Sequence, residues 1–236
     1  MNPTIKTARL TGLLYLSLVP LGFFGIYVTT RLIVAGDAGT TAQNIMASES
    51  LFRLGIVSNL LVQVINIFVV LALYRLLKSV NRNMALLMVI FILLGVPIAM
   101  LNELNHIAAL VLLGSPAYLK GFTADQLNAL VSLFLEAHKQ GINIASIFWG
   151  LWLFPMGYLV FKSGFLPRIL GILLIIGCFG YLIDSFAAFL LSNNQVSIAL
   201  FTFWGEVLFP LWLLIKGINV ERWEKHAAES ALVSLA

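Results

Sequence analysis

Apolar residues do not alternate with polar ones along this chain. They run together in stretches of about 22 to 30, separated by short segments where Gly, Ser, Thr, Asn and the charged residues collect. A helix needs roughly 20 apolar residues to cross a hydrocarbon core of about 30 Å, and six stretches meet that length. They lie at about residues 9–34, 53–78, 84–113, 140–162, 167–191 and 197–218. The pattern predicts an all-α, polytopic six-transmembrane-helix bundle, with residues 1–236 forming a single integral membrane domain.

Two connections have structure of their own. The small and polar residues of "AGDAGTTAQNIMASES" have helix-compatible spacing and predict a short helix on the outer surface. In "GFTADQLNALVSLFLEAHKQG", Thr123 and Gln126 make a capping box, and Leu127, Leu130, Val131 and Phe134 recur on one face. The expectation is an amphipathic helix over about 124–139 in the outer interface, bending at Gly141 into the fourth span.

Composition agrees with the pattern: 61% hydrophobic residues, 10% charged residues and a mean hydropathy of +1.00 lie outside the range of soluble domains. Little chain remains outside the spans, so whatever the protein does happens in or at the bilayer. Basic residues set the orientation, because positively charged short loops stay on the cytoplasmic side. Ten of the fourteen (Lys6, Arg9, Arg75, Lys78, Arg82, Lys162, Arg168, Lys216, Arg222 and Lys225) fall on one side, which places both termini in the cytoplasm. The expected location is the bacterial cytoplasmic membrane. The net charge of +4 is spread over helix ends, as anionic lipids favour, so membrane lipids are the expected partners and nucleic acid is not. Cys178 is the only cysteine, which excludes an intramolecular disulfide. The first apolar stretch is longer than a signal-peptide core and lacks an A-x-A site, so it reads as a retained span.

Pro20, Pro97, Pro155 and Pro210 interrupt four spans, each freeing a carbonyl four residues earlier. In the sixth span that carbonyl belongs to Glu206, so a kink and an acid coincide. Spans four and six share "FWGLWLFP" (148–155) and "FWGEVLFP" (203–210), which fits a helical hairpin used three times.

From about residue 10 onward the chain resembles the DUF4386 family of bacterial multi-spanning membrane proteins. The likeness is carried by "GDAGTTAQNIMASESLFRLGIVSNLL", by "LYRLLKSVNR" and by "LFLEAHKQGINIASIFWGLWLFPMGYLVFKSGFLPRILGILLIIGCFGYLID", most specifically in "GLWLFPMGYLVFKSGFLPRILG". The resemblance implies the membrane class and the spacing of loops. It transfers no activity and no catalytic residue.

Candidate chemistry collects at one depth. Counting 1.5 Å per residue from the span ends puts Asn59, Gln63 and Asn66 on one stripe in the outer to middle part of span two. Asn102, Glu103, Asn105 and His106 of "LNELNHIAAL" fall in the outer half of span three. His138, Asn143 and Ser146 enter span four there, with Asp184 in span five and Glu206 near the middle of span six. A charge at the bilayer centre costs about 2.5–3.5 kcal/mol even on insertion scales, so these acids should converge inside the bundle.

Three readings follow. The polar groups form interhelical hydrogen bonds that specify the bundle. Alternatively they line a pocket in the outer half that binds an unknown small molecule or lipid, for transport or sensing, with Trp149, Trp152 and Trp204 as walls. In the third, Glu103-x-x-His106, completed by His138, Asp184 and Glu206, holds zinc or iron in a metal-dependent intramembrane hydrolase. The expectation is a non-enzymatic ligand-binding protein without a resident cofactor, with the hydrolase as the alternative; a homo-oligomer is compatible with either. Gly177, Gly180 and Asp184 read as a close-packing face that carries an acid, and Trp223 as an interface anchor.

Overall fold

The structure, a computed structural model, describes residues 3–114, 117–191 and 197–233. The described residues are helical, with no strand among them: α1 (Pro3–Leu32), α2 (Ala38–Ala47), α3 (Glu49–Leu77), α4 (Arg82–Leu113), α5 (Ala124–Leu151), α6 (Leu153–Lys162), α7 (Arg168–Leu190), α8 (Ala199–Thr202), α9 (Trp204–Ile215) and α10 (Val220–Val233). A 3₁₀ turn covers Ala117–Leu119.

Five helical stretches are long and apolar enough to cross a membrane: Thr4–Leu32, Glu49–Leu77, Arg82–Leu113, Ala124–Lys162 and Arg168–Leu190. Ala199–Ile215 with Val220–Glu229 makes a sixth only as a bent pair, turning through 102°. Along their middle stretches the exposed positions are apolar, as Leu54, Val57, Leu61 and Phe68 are along α3, which is the surface that hydrocarbon requires. The fold is a helical bundle of the multi-pass membrane class.

The chain divides into two compact units whose boundaries fall within helices. The first comprises residues 1–17, 65–96 and 143–236, and the second 18–64 and 97–142.

In the second unit Val28, Leu32, Ile45, Phe52, Ile56, Ala109, Leu112, Val131 and Leu135 form one apolar core. The predicted short helix is α2. Asp37 caps it, accepting from the Thr40 N–H at 2.8 Å and the Thr40 hydroxyl at 2.6 Å. Thr41 and Asn44 tie α2 to the end of α1, through hydrogen bonds to Val34 and Leu32. The Thr123–Gln126 capping box is present, with both reciprocal bonds made. The expected bend at Gly141 is absent. Helix α5 continues through that position, because Gly141 serves close packing: a Cβ there would fall onto the Asn102 side chain. The break comes instead at Trp152, one residue beyond the Leu151 carbonyl that Pro155 frees.

In the first unit glycines set the helix contacts. Gly157 of α6 and Gly171 of α7 meet backbone to backbone. Both glycines of the repeated FWG motif lie against α7, Gly150 at Cys178 and Tyr181 and Gly205 at Leu173 and Leu174, so the repeat encodes two close approaches to one helix. The sixth span is not one straight helix. It breaks at Phe203 and turns at Gly217, whose φ of 71° suits glycine, into α10. The segment after that span is helical. Trp223 Nε1 donates to the Leu76 carbonyl at 2.9 Å, and the Arg222 guanidinium donates to the Gly164 carbonyl at 2.9 Å.

Candidate functional site

Over residues 101–111, helix α4 reverses the amphipathicity of a soluble helix. Leu101, Leu104, Ile107 and Val111 point outward, at 42–65% exposure, while Asn102, Glu103, His106 and Ala109 are buried. The buried set follows i, i+1, i+4, i+7, the stripe a single packing face requires. This is why "LNELNHIAAL" tolerates polar residues within an apolar run.

Three of the predicted residues meet on that face. Glu103 Oε2 lies 2.9 Å from His106 Nδ1, and Oε1 lies 3.1 Å from His138 Nε2 of α5. Each contact pairs one imidazole nitrogen with one carboxylate oxygen. The two rings stack, with centroids 3.5 Å apart and planes inclined by 21°, and Phe52 closes the His106 side edge-on at 5.1 Å. Exposures of 3% for Glu103, 2% for His106 and 7% for His138 leave the group to the protein interior. Asn59 of α3 completes it, its Nδ2 donating to Glu103 Oε1 at 3.0 Å.

Geometry on either side fixes these partners. Asn102 Nδ2 donates to the His138 carbonyl at 2.8 Å, and Asn105 Nδ2 donates to Asn102 Oδ1 at 2.9 Å. With Gly141 one turn beyond His138 and packed onto Asn102, α5 is clasped to α4 at the level that sets His138 beside Glu103. Beside His106 a crevice passes Gly25, Gly55, Phe52 and Asn59; its empty space of about 160 Å³ is too thin to seat a water molecule.

The remaining predicted residues have other partners. Asp184 caps the turn at α8: the N–H groups of Ile198 and Ala199 and the Ser197 hydroxyl all donate to its carboxylate at 2.8 Å. Gly177 and Gly180 lie beside it against Ala199 and Thr202, so this is a close-packing face that carries an acid. Glu206 accepts from the Tyr15 hydroxyl at 3.3 Å, and Tyr181 approaches the same carboxylate. Trp152 packs against Tyr15 at 5.6 Å, Trp149 is partly buried, and Trp204 is 53% exposed. Gln63 and Asn66 are buried on α3, with Gln63 Oε1 and Asn66 Oδ1 lacking a hydrogen-bond partner, and Asn143 is partly buried on α5. Among the described residues, the group able to offer three metal-ligand atoms is Glu103, His106 and His138, and Asp184 and Glu206 do not join it.

Sequence reasoning did not single out Phe52, Gly25 or Tyr15. Phe52 and Tyr15 look like any aromatic in a span, and Gly25 carries no motif; what distinguishes them is tertiary contact alone.

Chemically, the triad is either a carboxylate accepting from two imidazole N–H groups or, with each ring's proton on its other nitrogen, a two-imidazole, one-carboxylate ligand set. The three donor atoms already lie within 4.8 Å of one another. In a tetrahedral zinc site with bonds of about 2.0–2.1 Å, neighbouring donors are about 3.3 Å apart, and the two imidazoles would turn out of their stack to aim both lone pairs at one ion.

A helical bundle with lipid-facing apolar surface and a buried acid–imidazole centre defines a multi-pass membrane protein. Residues 10–217 match DUF4386, a domain of unknown function, and the chain belongs to that family. It is similar to an uncharacterized protein of Archaeoglobus fulgidus, 35% identical over 163 residues, covering 69% of this chain and 83% of the relative. That relative is archaeal, so the likeness is not confined to bacteria. No solved structure matches.

Proposed function

We propose that this chain is a metal-binding protein of the cytoplasmic membrane, its termini in the cytoplasm. In this reading Glu103, His106 and His138 hold one divalent transition-metal ion, zinc or iron, in the outer half of the bundle. The observation that carries it is the convergence of three buried donors, from two helices, within 4.8 Å. Imidazole with carboxylate suits zinc and iron among the available metals. An organic ligand is less well supported, because the crevice beside His106 does not seat even a water molecule. The distribution of basic residues supports the orientation. An ion that is sensed or passed onward keeps the protein in the ligand-binding class.

Elemental analysis of the full chain purified in detergent tests this reading. The expected result is near-stoichiometric zinc or iron, lost in His138→Ala. Protein that carries no metal and takes up neither zinc nor cobalt on titration would overturn it.

A further inference from the structure

We infer that the turn between α6 and α7, with the start of α10 docked on it, is a binding surface for the phosphate headgroup of an anionic phospholipid, contacted by Lys162, Arg168 and Arg222. This surface requires only the multi-pass membrane class and is independent of metal at Glu103.

The three cations come from two stretches far apart in sequence. Lys162 ends α6 and Arg168 opens α7, on either side of a short turn. Ser163 braces that turn, its hydroxyl donating to the Val160 carbonyl at 2.8 Å and accepting from the Leu166 N–H at 3.2 Å. Helix α10 brings the third cation. The Asn219 N–H donates to the Phe165 carbonyl at 3.2 Å, and the Arg222 guanidinium donates to the Gly164 carbonyl at 2.9 Å. That bond leaves the rest of the guanidinium fork for a phosphate, whose geometry it matches. All three side chains are exposed, and residues 137–183 contain no acid. Among the described residues no carboxylate pairs with any of the three, Glu221 and Glu224 of α10 included.

Depth favours a lipid over a soluble anion. Helix α10 turns through 102° from the Ala199–Ile215 segment, so it runs along the membrane surface where that segment crosses. Trp223, next to Arg222, is the residue type that sits at headgroup level. Ile169, next to Arg168, is exposed as lipid-facing residues are. Charge and apolar surface therefore adjoin at one level, as a phospholipid's phosphate adjoins its acyl chains.

The test is native mass spectrometry of the full chain in detergent, equilibrated with equimolar phosphatidylglycerol and phosphatidylcholine. Wild type is expected to retain phosphatidylglycerol in preference by about fivefold or more, the factor that one basic residue near an anionic surface contributes. The combined change Lys162→Gln, Arg168→Gln and Arg222→Gln is expected to bring retention of the two lipids close to parity. Lys162→Gln with Arg168→Gln, which leaves the Arg222–Gly164 bond in place, is expected to lower the preference part-way. Arg53→Gln, Lys120→Gln and Lys139→Gln together remove the same charge elsewhere and are expected to keep it. Equal retention of both lipids by wild type, or an equal drop in the two triple variants, overturns the proposal. Retention of phosphatidylglycerol that excess inorganic phosphate abolishes assigns the surface to a soluble anion and overturns the lipid reading.

Discussion

Glu103 and Glu206 are both carboxylates inside membrane-crossing segments, in different units of the molecule, and their partners belong to different chemistry. Glu103 faces two imidazoles and a carboxamide, Glu206 faces phenols, and Asp184 faces backbone N–H groups and a serine. Each arrangement answers the same cost, that of a charged or strongly polar group removed from water. They differ in the donors they gather: among the described residues, Glu103 with His106 and His138 brings three possible ligand atoms within 4.8 Å, and Asp184 and Glu206 do not join such a group. Burial of an acid in a membrane helix therefore does not indicate a site by itself; the identity of its partners does.

The sharpest way to break this contrast is Glu103→Ala. It leaves two buried imidazoles without their common acceptor, and each buried donor left unpaired costs about 1–3 kcal/mol. Denaturant unfolding in micelles should show a loss of that size together with loss of bound metal. Glu103→Gln, which retains an acceptor oxygen, should lose the metal at a smaller stability cost. If Glu206→Ala stripped as much metal as Glu103→Ala, the distinction between the two acids would be wrong.

A smaller effect is expected at Asp184. Asp184→Asn leaves one oxygen to serve donors that now share two, and water reaches these part-buried groups, so the cost is about 1 kcal/mol. Amide exchange at Ile198 and Ala199 should accelerate while metal content stays at the wild-type level.

The smallest effect concerns an acid outside the spans. Hydrogen bonds from the Thr40 hydroxyl and N–H hold the Asp37 carboxyl below the usual carboxylate range. A depressed folded value means that the cap's contribution is complete above the ordinary carboxyl value of about 3.9 and fades as pH falls through the lower folded value. Amide exchange along α2 should quicken only at acid pH, and Asp37→Asn should abolish that dependence without altering the Glu103 centre.

Much of the architecture was legible in the one-dimensional pattern. Long apolar runs name the spans because each backbone N–H must bond within its own helix in hydrocarbon, which leaves helix as the economical solution. Local capping was legible too, since Thr123 and Gln126 interact three residues apart. Gly141 was not: a glycine inside a helix reads as a weak point, whereas here it admits the Asn102 side chain, and only the neighbouring helix reveals that. The last span misled for the same reason, its break at Phe203 and turn at Gly217 depending on what packs around them.

The sequence by itself determined that this is a helical membrane protein, and that Glu103 and His106, three residues apart, share one face of α4. Helical periodicity guarantees both, because they rest on spacing within a single segment. Which of the remaining polar residues join them was decided by tertiary structure alone. His138 arrives from 35 residues away because the Asn102–Gly141 contact sets the height of α5 against α4, while Asp184 and Glu206, equally polar and at a similar expected depth, are taken up by a helix cap and by phenols. Depth along a span follows from counting residues; rotation and neighbour choice follow from packing, which no count along one chain contains.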